Sequence, residues 1–454
     1  MTQSDQPAQP VPPESKPKFW QSLTGHTMII GALALLLLIP LGLVQSLVQD
    51  RAARLNGVQT EIGEMWGREQ WVSNLTLVIP VRLTTPPTAA DEIAEVVVPI
   101  FPQSADITAA LRTEQRKRGL YAVPVYTSRI GMKALFRADE VARRLGPNAQ
   151  ALWGRAYLGV IVNDARRASA DGWNAATAVD AGRMHDAILS STGHFGAGRF
   201  IGRPLTEAEA ASLSSDQAFT FEFELPGIRA LHVSPGLSNT SITITGNWPS
   251  PSFGGSVLPT KRDVTDQGFS ASWILTNTAL EAESVTPGPA RDQDKPFFHV
   301  SVQLNEPVSA YGKTERVANY GVLFIILTFT VYFLFEVIGC TAVHPMQYAL
   351  IGCGLCLFYL LLLSTSEVAG FAIAYVLSAA AVVAQMALYT WSILGRAKGL
   401  VIGAVGATLY GLLYVLLILE GIPLLAGSWA LFVILSAVMW LTRKLDWSRT
   451  LKPA

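Results

Sequence analysis

The sequence predicts a membrane protein with six transmembrane α-helices, one N-terminal and five C-terminal, and a large β-rich (α+β) periplasmic domain inserted between the first and second. Three observations predict it. From Val317 to Leu441 the acids and strong bases are Glu336, Glu367, Arg396, Lys398 and Glu420 alone. They and the turn residues cut this stretch into apolar blocks of about 20 residues, the length a helix needs to cross a bilayer. A further apolar run occupies residues 28–48, and most of the charge falls between them, in 50–316. The bulk composition hides this segregation, since a formal net charge of +0 and 50% hydrophobic residues would suit a globular chain. Backbone groups in hydrocarbon have no water to bond, so apolar runs this continuous are helices.

Residues 1–27 form a disordered cytoplasmic tail, Pro-rich and too polar to bury a core. The run 28–48 is the first span. A cleaved signal peptide would have a shorter apolar core and a small-x-small cleavage site. This run is long and ends in Gln45-Ser46-Leu47-Val48-Gln49-Asp50, which favours an uncleaved anchor with Pro40 as its kink point.

Residues 49–318 form the β-rich domain. Phe219-Thr220-Phe221-Glu222-Phe223-Glu224-Leu225 alternates strictly, and Ser241-Ile242-Thr243-Ile244-Thr245 does so with β-branched residues. Strands are also expected at 71–83, 94–100, 120–126, 130–136, 157–162, 268–275 and 297–304. Many short strands with Pro/Gly punctuation indicate a sandwich or barrel-like domain. Residues 107–118 and 139–145 read as short helices, and 168–202, rich in Ala, Gly and Asp, as loop and helix. All three cysteines, Cys340, Cys353 and Cys356, lie in or beside spans, so the domain folds without disulfides.

The five-helix module covers 319–441, with spans at 319–339, 346–364, 370–391, 399–419 and 422–441, and a cytoplasmic tail at 442–454. Positive residues orient it. Lys16 and Lys18 keep the N-terminus inside. Arg396 and Lys398 then fall on an inner loop, and Arg443, Lys444, Arg449 and Lys452 in an inner tail. The expected arrangement is multi-pass with both termini cytoplasmic; in a Gram-negative cell the outer region is periplasmic, and an organelle membrane is the alternative, which nothing in the tail suggests.

Little in the sequence carries recognisable chemistry. His185, Asp186 and His194 cluster, but their spacing fits no zinc pattern and solvated loop residues are the simpler reading. No nucleophile elbow, zinc-protease motif, phosphate loop or dinucleotide fingerprint occurs. Cys353 and Cys356 have metal-pair spacing inside a predicted span, where packing is the simpler role. No catalytic residue, metal or cofactor is therefore expected. The neutral charge balance gives no support for nucleic-acid binding.

In the membrane module the candidates are Glu336, His344, Glu367 and Gln385. An ionisable residue in a span is costly and a functional candidate by default. Glu336 lies near the inner end of its helix, so an interfacial role and a relay role both stand. Gln385 lies well inside its span and suits a helix–helix hydrogen bond. Gly399, Gly403, Ala407 and Gly411 form a small-residue row for close helix packing, within one bundle or in a homo-oligomer. Outside the module, Trp248, Pro249, Pro251 and Phe253, with Lys261 and Arg262, form a candidate contact loop. Either its aromatics pin the loop to the β core or they form a contact face. Trp248 is expected to be mainly buried and Phe253 more exposed.

A set of motifs carries a family resemblance. They are Asn247-Trp248-Pro249-Ser250-Pro251-Ser252-Phe253, Leu258-Pro259-Thr260-Lys261-Arg262, Gly268-Phe269 and Trp273. To these add the second span, His344-Pro345-Met346-Gln347-Tyr348, Phe358-Tyr359-Leu360-Leu361-Leu362-Leu363-Ser364 with Ser366-Glu367, Leu441-Thr442-Arg443 and Asp446-Trp447. With them the chain resembles the CreD family of bacterial inner-membrane proteins over roughly residues 19–447. It departs in the Pro-rich tail, at Val368, where a histidine is expected, and over 137–203. The resemblance implies a two-component regulon, envelope integrity and altered colicin tolerance, and it transfers no catalytic residues.

The function expected is a non-enzymatic envelope-integrity protein whose periplasmic domain senses or binds an envelope partner. The alternative is a transporter or lipid-handling protein that uses the helix bundle, with the outer domain as receiver. The bilayer is one partner; an envelope protein or lipid, and a second copy of the chain, are the others considered.

Overall fold

Alternation of apolar residues drives most of the region between the first apolar helix and the C-terminal ones into strands. The computed structural model describes residues 23–83, 95–146, 149–168, 199–236, 239–276, 298–304, 310–339, 343–418 and 423–443. Outside these lie the basic residues of both tails other than Arg443, the histidines His185 and His194 with Asp186, most of the expected 168–202 lobe, Cys340 and Glu420. Contacts divide the chain into two units, Arg54–Pro307, and Met1–Ala53 with Val308–Ala454. The limits expected from the sequence are 48/49 and 318/319.

The β unit is a two-sheet sandwich. The first sheet runs β12 (Pro251–Gly255), β15 (Val300–Leu304), β10 (Ala230–Ser234), β1 (Gln70–Ser73), β7 (Tyr157–Val162), β2 (Thr76–Leu83), β3 (Glu95–Ile100), with β6 (Ala149–Ala151) on β2 and β8 (Arg199–Pro204) on β7. The second runs β13 (Lys261–Thr265), β14 (Gly268–Leu275), β11 (Asn239–Gly246), β4 (Ser104–Arg118), β5 (Tyr121–Phe136), β9 (Gln217–Ile228). One core lies between them. Val72, Leu77, Ile79, Val160, Leu231, Val233 and Val302 from the first sheet meet Ile107, Ile130, Phe221, Phe223, Ile242 and Trp273 from the second.

Most expected strands are present, with two adjustments. The stretches 120–126 and 130–136 are one long strand, β5, and 71–83 breaks at Asn74-Leu75 into β1 and β2. A correction is needed at 107–118, which is the strand β4 and not a helix. Ala105, Ile107, Ala109 and Leu111 point to the core and their neighbours to solvent, a two-residue period. Alanine on the core face gives weak hydropathic contrast and a high helix propensity, and tertiary pairing with β11 and β5 overrides both. The expected helix at 139–145 is α3 (Ala138–Leu145), and α4 (Glu207–Ser212) opens on a Thr206/Glu209 capping box.

The other unit begins with α1 (Leu23–Leu36). At Leu37 the helix breaks and continues as α2 (Leu38–Trp66). Pro40 has no N–H for the Leu36 carbonyl, which accounts for the break. The helix runs on to Trp66 because Leu55, Val58, Ile62 and Trp66 recur at helical spacing and pack on Val123, Val125 and Ile228 within the β unit. Then come α5 (Ala310–Asn319), α6 (Gly321–Gly339), α7 (Pro345–Ala369), α8 (Phe371–Leu394), α9 (Arg396–Ile418) and α10 (Pro423–Thr442). Among the described residues four helices are long and apolar enough to span a membrane: Gly25–Trp66, Pro345–Ala369, Phe371–Leu394 and Arg396–Ile418. The α5–α6 pair, bent by 42°, makes a fifth if it is one span, and Gly427–Thr442 is a shorter apolar helix. The kinked first helix fits glycine hollows: Leu37 occupies the space beside Gly352, and Leu41 that beside Gly321.

Candidate functional site

The residues of the β unit with the most chemical potential lie in one row across its first sheet. Parallel pairing of β1 with β10 sets Trp71 beside His232, and antiparallel pairing of β10 with β15 sets His232 beside Ser301. Val72, Leu231, Val233, Val300 and Val302 alternate with these residues and face the sandwich core. The row therefore occupies the opposite face.

Its rings are ordered. Trp71 stacks on His232 with centroids 4.0 Å apart and planes 8° from parallel. His299 closes the triangle, 4.7 Å from Trp71 and 5.3 Å from His232. Trp71 and His299 are half-buried, and His232 beneath them is 6% exposed. Nε2 of His232 lies 2.6 Å from the Glu69 carboxylate. A carboxylate only accepts, so Nε2 carries the hydrogen and in neutral His232 Nδ1 presents a lone pair. That Nδ1 and the Ser301 hydroxyl are both buried, and among the described residues neither has a hydrogen-bond partner. The hydrogen bond from His232 holds the Glu69 carboxyl below its ordinary range, burial opposing and the charges of His232 and Arg229 assisting.

The loop that carries Glu69 is fixed on both sides. Gly67, at φ 156°, passes so close to the Pro226 carbonyl that a Cβ would collide with it. Gln70 is fully buried, donates to the carbonyls of Asp164 and Pro226, and accepts from the Asp164 N–H. Arg166 grips Asp164 with two side-chain bonds of 2.8 and 2.6 Å, and the backbone N–H groups of Arg166 and Arg68 also donate to it. The Arg166 bond leads in lowering the Asp164 carboxyl to about 2. Tyr126 donates to the Ala230 carbonyl at 2.7 Å, and burial pushes its phenol well up.

None of Glu69, Trp71, His232, His299 and Ser301 stood out in the sequence. The strand Ala230–Ser234 is buried at every position and shows no alternation, so His232 had no element to sit on. Trp71 and His299 lie within the expected strands 71–83 and 297–304, but only non-local pairing brings them together.

The conspicuous 247–273 motif crosses between the sheets. β11 belongs to the second sheet, β12 to the first, and β13 and β14 to the second again. Trp248 is 9% exposed and part of the core. Pro249 is exposed, and Pro251 starts β12, which lies at a sheet edge, where a missing N–H is tolerated. Phe253 is half-buried, edge-on to Phe269 at 5.9 Å and Trp273 at 6.2 Å. Asn247 accepts from both the N–H and the hydroxyl of Thr113 at 2.7 Å. Lys261 and Arg262 are exposed on β13, and Arg262 borders a cleft of ≈ 480 Å³ with Phe253 and Asp263.

In the helical unit Glu336 is tied to two elements. His26 Nε2 lies 3.1 Å from one carboxylate oxygen, and the Tyr348 hydroxyl donates to the other at 3.0 Å. His344 caps α7: its Nδ1 accepts from the Met346 N–H, while Gln347 reaches back to the His344 N–H. Glu367 pairs with Arg51 at 3.6 Å. Gln385 is exposed beside Gly354, and among the described residues it has no hydrogen-bond partner. Gly399 and Gly403 pack on Ala387 and Trp391 of α8, whereas Ala407 and Gly411 are exposed. A four-residue step turns a helix by about 400°, so such a row drifts about 40° per step off the contact line. Gly406, against Val383, continues that line. Cys353 is exposed and Cys356 buried, and no group of residues among those described could hold a metal ion.

The model of the family described as inner membrane protein CreD matches residues 22–448. The inner membrane protein CreD of Escherichia coli (strain K12) is 30% identical over 440 residues, covering 95% of this chain and 94% of that protein. No solved structure matches. With its apolar helices and a family model that spans nearly its whole length, the chain belongs to the CreD family of inner membrane proteins.

Proposed function

We propose that this chain is a non-enzymatic envelope-integrity protein of the bacterial inner membrane, and that its β unit binds an envelope partner in the periplasm. It crosses the membrane six times with both termini in the cytoplasm; the bent α5–α6 pair and α10 supply the spans beyond the four long helices. The Lys/Arg distribution supports this orientation. Colicin tolerance and membership of a two-component regulon are the setting that the resemblance implies.

The observation that carries the binding role is the Trp71–His232–His299 triangle held by Glu69. Half-exposed aromatic rings over a locked polar pair make good contact anchors, because little side-chain freedom remains to be lost. The same geometry favours binding over catalysis. Ser301 and His232 are cross-strand neighbours, yet among the described residues neither the hydroxyl nor Nδ1 has a hydrogen bond, and none of them offers the serine a base. Ser301 is also 1% exposed, which leaves no room for an acyl substrate.

The test uses full-length Trp71→Ala and His232→Phe in cells whose envelope phenotype depends on this chain. Both variants should accumulate and lose the phenotype; Trp71→Ala should melt near the wild-type temperature, and His232→Phe below it because the bond to Glu69 is gone. Full activity of both would sink the reading.

A second reading, transport or lipid handling by the helices, draws on the His26–Glu336–Tyr348 cluster, an ionisable group bonded inside a helical unit. Loss of solute or lipid movement in Glu336→Gln, with the β-unit variants unaffected, would favour it.

A further inference from the structure

The β4–β5 hairpin runs back along α2 toward the end of the first apolar run. Two glycines of α2 fix the register. A Cβ at Gly67 would meet Pro226, and one at Gly63 would meet Ile228. Those two residues of β9 pair with Thr127 and Val125 of β5. Four residues of helix, about 6 Å, thus match two of strand, about 7 Å. At the same rate Tyr121 lies level with Leu55, and the turn beyond it level with Arg54. Other contacts agree. Trp66 donates to the Tyr126 carbonyl, Arg118 near the hairpin end pairs with Glu61, and Leu55 packs on the cluster that holds Val123 and Val125.

Arg54 follows the apolar run 28–48 by six residues, about 9 Å along α2. The headgroup layer beyond the hydrocarbon of a bilayer is roughly 5–8 Å deep. The hairpin tip is therefore held at the outer edge of that layer, and it has the chemistry for it. Gly119, at φ 60°, opens a two-residue turn, and Leu120 at its apex is 61% exposed. Tyr121, an interfacial residue type, follows. Arg116 and Arg118 are paired with Glu114 and Glu61. Lys117 and Arg54 are exposed, and among the described residues neither has an ion-pair partner.

We infer that the β4–β5 hairpin tip rests on the membrane that the first helix crosses, with Leu120 in the headgroup layer and Lys117 and Arg54 on the phosphates of anionic phospholipids. Two observations select lipid as the occupant. The short tether from the apolar run keeps the tip at this depth, and the charge left over there is positive, the sign that anionic headgroups attract. The inference needs residues 28–48 to be a span and is independent of the partner proposed for the Trp71 face.

The test uses the full chain in liposomes of phosphatidylcholine with or without phosphatidylglycerol. In a background with Cys340→Ser, Cys353→Ala and Cys356→Ala, a fluorophore is attached at Leu120→Cys, or at Lys133→Cys as the control. Lys133 is exposed on the same strand, roughly 40 Å from the tip. Lipids that carry a quencher at headgroup level should dim the label at 120 and not at 133, and more strongly when phosphatidylglycerol is present. Lys117→Gln and Arg54→Gln should each lower the ratio of quenched to unquenched label about fivefold, the weight of one base near an anionic surface, and leave the melting temperature unchanged. Added salt should act in the same direction. Trp71→Ala should leave the quenching as it is. In the otherwise wild-type chain, a photo-reactive phenylalanine analogue at position 120 should label phospholipid. Three results would overturn the inference: quenching at 120 no greater than at 133, quenching that ignores both phosphatidylglycerol and the loss of the two bases, or a photo-adduct at 120 with a protein in place of lipid.

Discussion

His232 donates to Glu69 across 2.6 Å, and Glu69 sits in the short turn that joins the end of α2 to β1. One hydrogen bond thus joins a histidine in the middle of a sheet to the residue that sets where that sheet begins. The same turn is held by Gln70 and by the Arg166–Asp164 pair. The aromatic face of the row is therefore mounted on backbone fixed from both sides.

These carboxylates make the β unit acid-sensitive. Glu69 and Asp164 both have folded-state pKa values below their unfolded ones, Asp164 at about 2. A depressed carboxylate contributes stability that is complete above its unfolded value of about 4 and is lost as pH falls through the folded value. Thermal melting followed from pH 5 down to 2 should show a steady loss. Asp164→Asn should be less stable at pH 5 and flatter below pH 4. A wild-type melting temperature that does not change over this range would contradict the assignment.

Trp248 and Phe253 should separate by stability. Trp248 lies in the core, so Trp248→Ala should cost roughly 3–5 kcal/mol. Phe253 is half-buried against Phe269 and Trp273, and Phe253→Ala should cost about half as much. Denaturant unfolding of the purified protein, followed by tryptophan fluorescence, measures both.

Two glycines in α9 should respond with opposite signs. A Cβ at Gly399 would meet the Trp391 Cβ at 2.7 Å and the Ala387 carbonyl at 2.8 Å, so Gly399→Ala forces α8 and α9 apart. A loss of about 1–3 kcal/mol is expected. Nothing lies within 4 Å of a Cβ at Gly411, and Gly411→Ala should gain up to about 1 kcal/mol from helix propensity. Melting temperatures in detergent should move in opposite directions.

How much of this was legible in the sequence depends on the range of the interaction involved. The apolar helices were readable from the length of their runs, and the strands at 219–225, 241–245 and 268–275 from their alternation. The strand at 107–118 was not, since alanines on its buried face gave too little contrast. The burial of Trp248 followed from local logic, as an aromatic that enters the rigid Pro249-Ser250-Pro251 turn needs a surface to rest on. The Glu69–Trp71–His232–His299–Ser301 row was invisible, because it exists only through pairing of β1 with β10 and of β10 with β15, strands far apart in the chain. Gln385 stands out in the sequence for its depth in a span, but that it bonds nothing among the described residues shows only in the packed helices.

The central claim is that the Trp71–His232–His299 face binds an envelope component. A photo-reactive phenylalanine analogue placed at position 299 in the full-length protein tests it in living cells, with position 274 as the control. Ile274 is 69% exposed and lies on the other sheet, so it reports indiscriminate contact. The account predicts that irradiation yields a discrete envelope adduct from position 299, absent from position 274 and lost when Trp71→Ala is added. Adducts from position 274 alone, or no adduct from position 299, would contradict it.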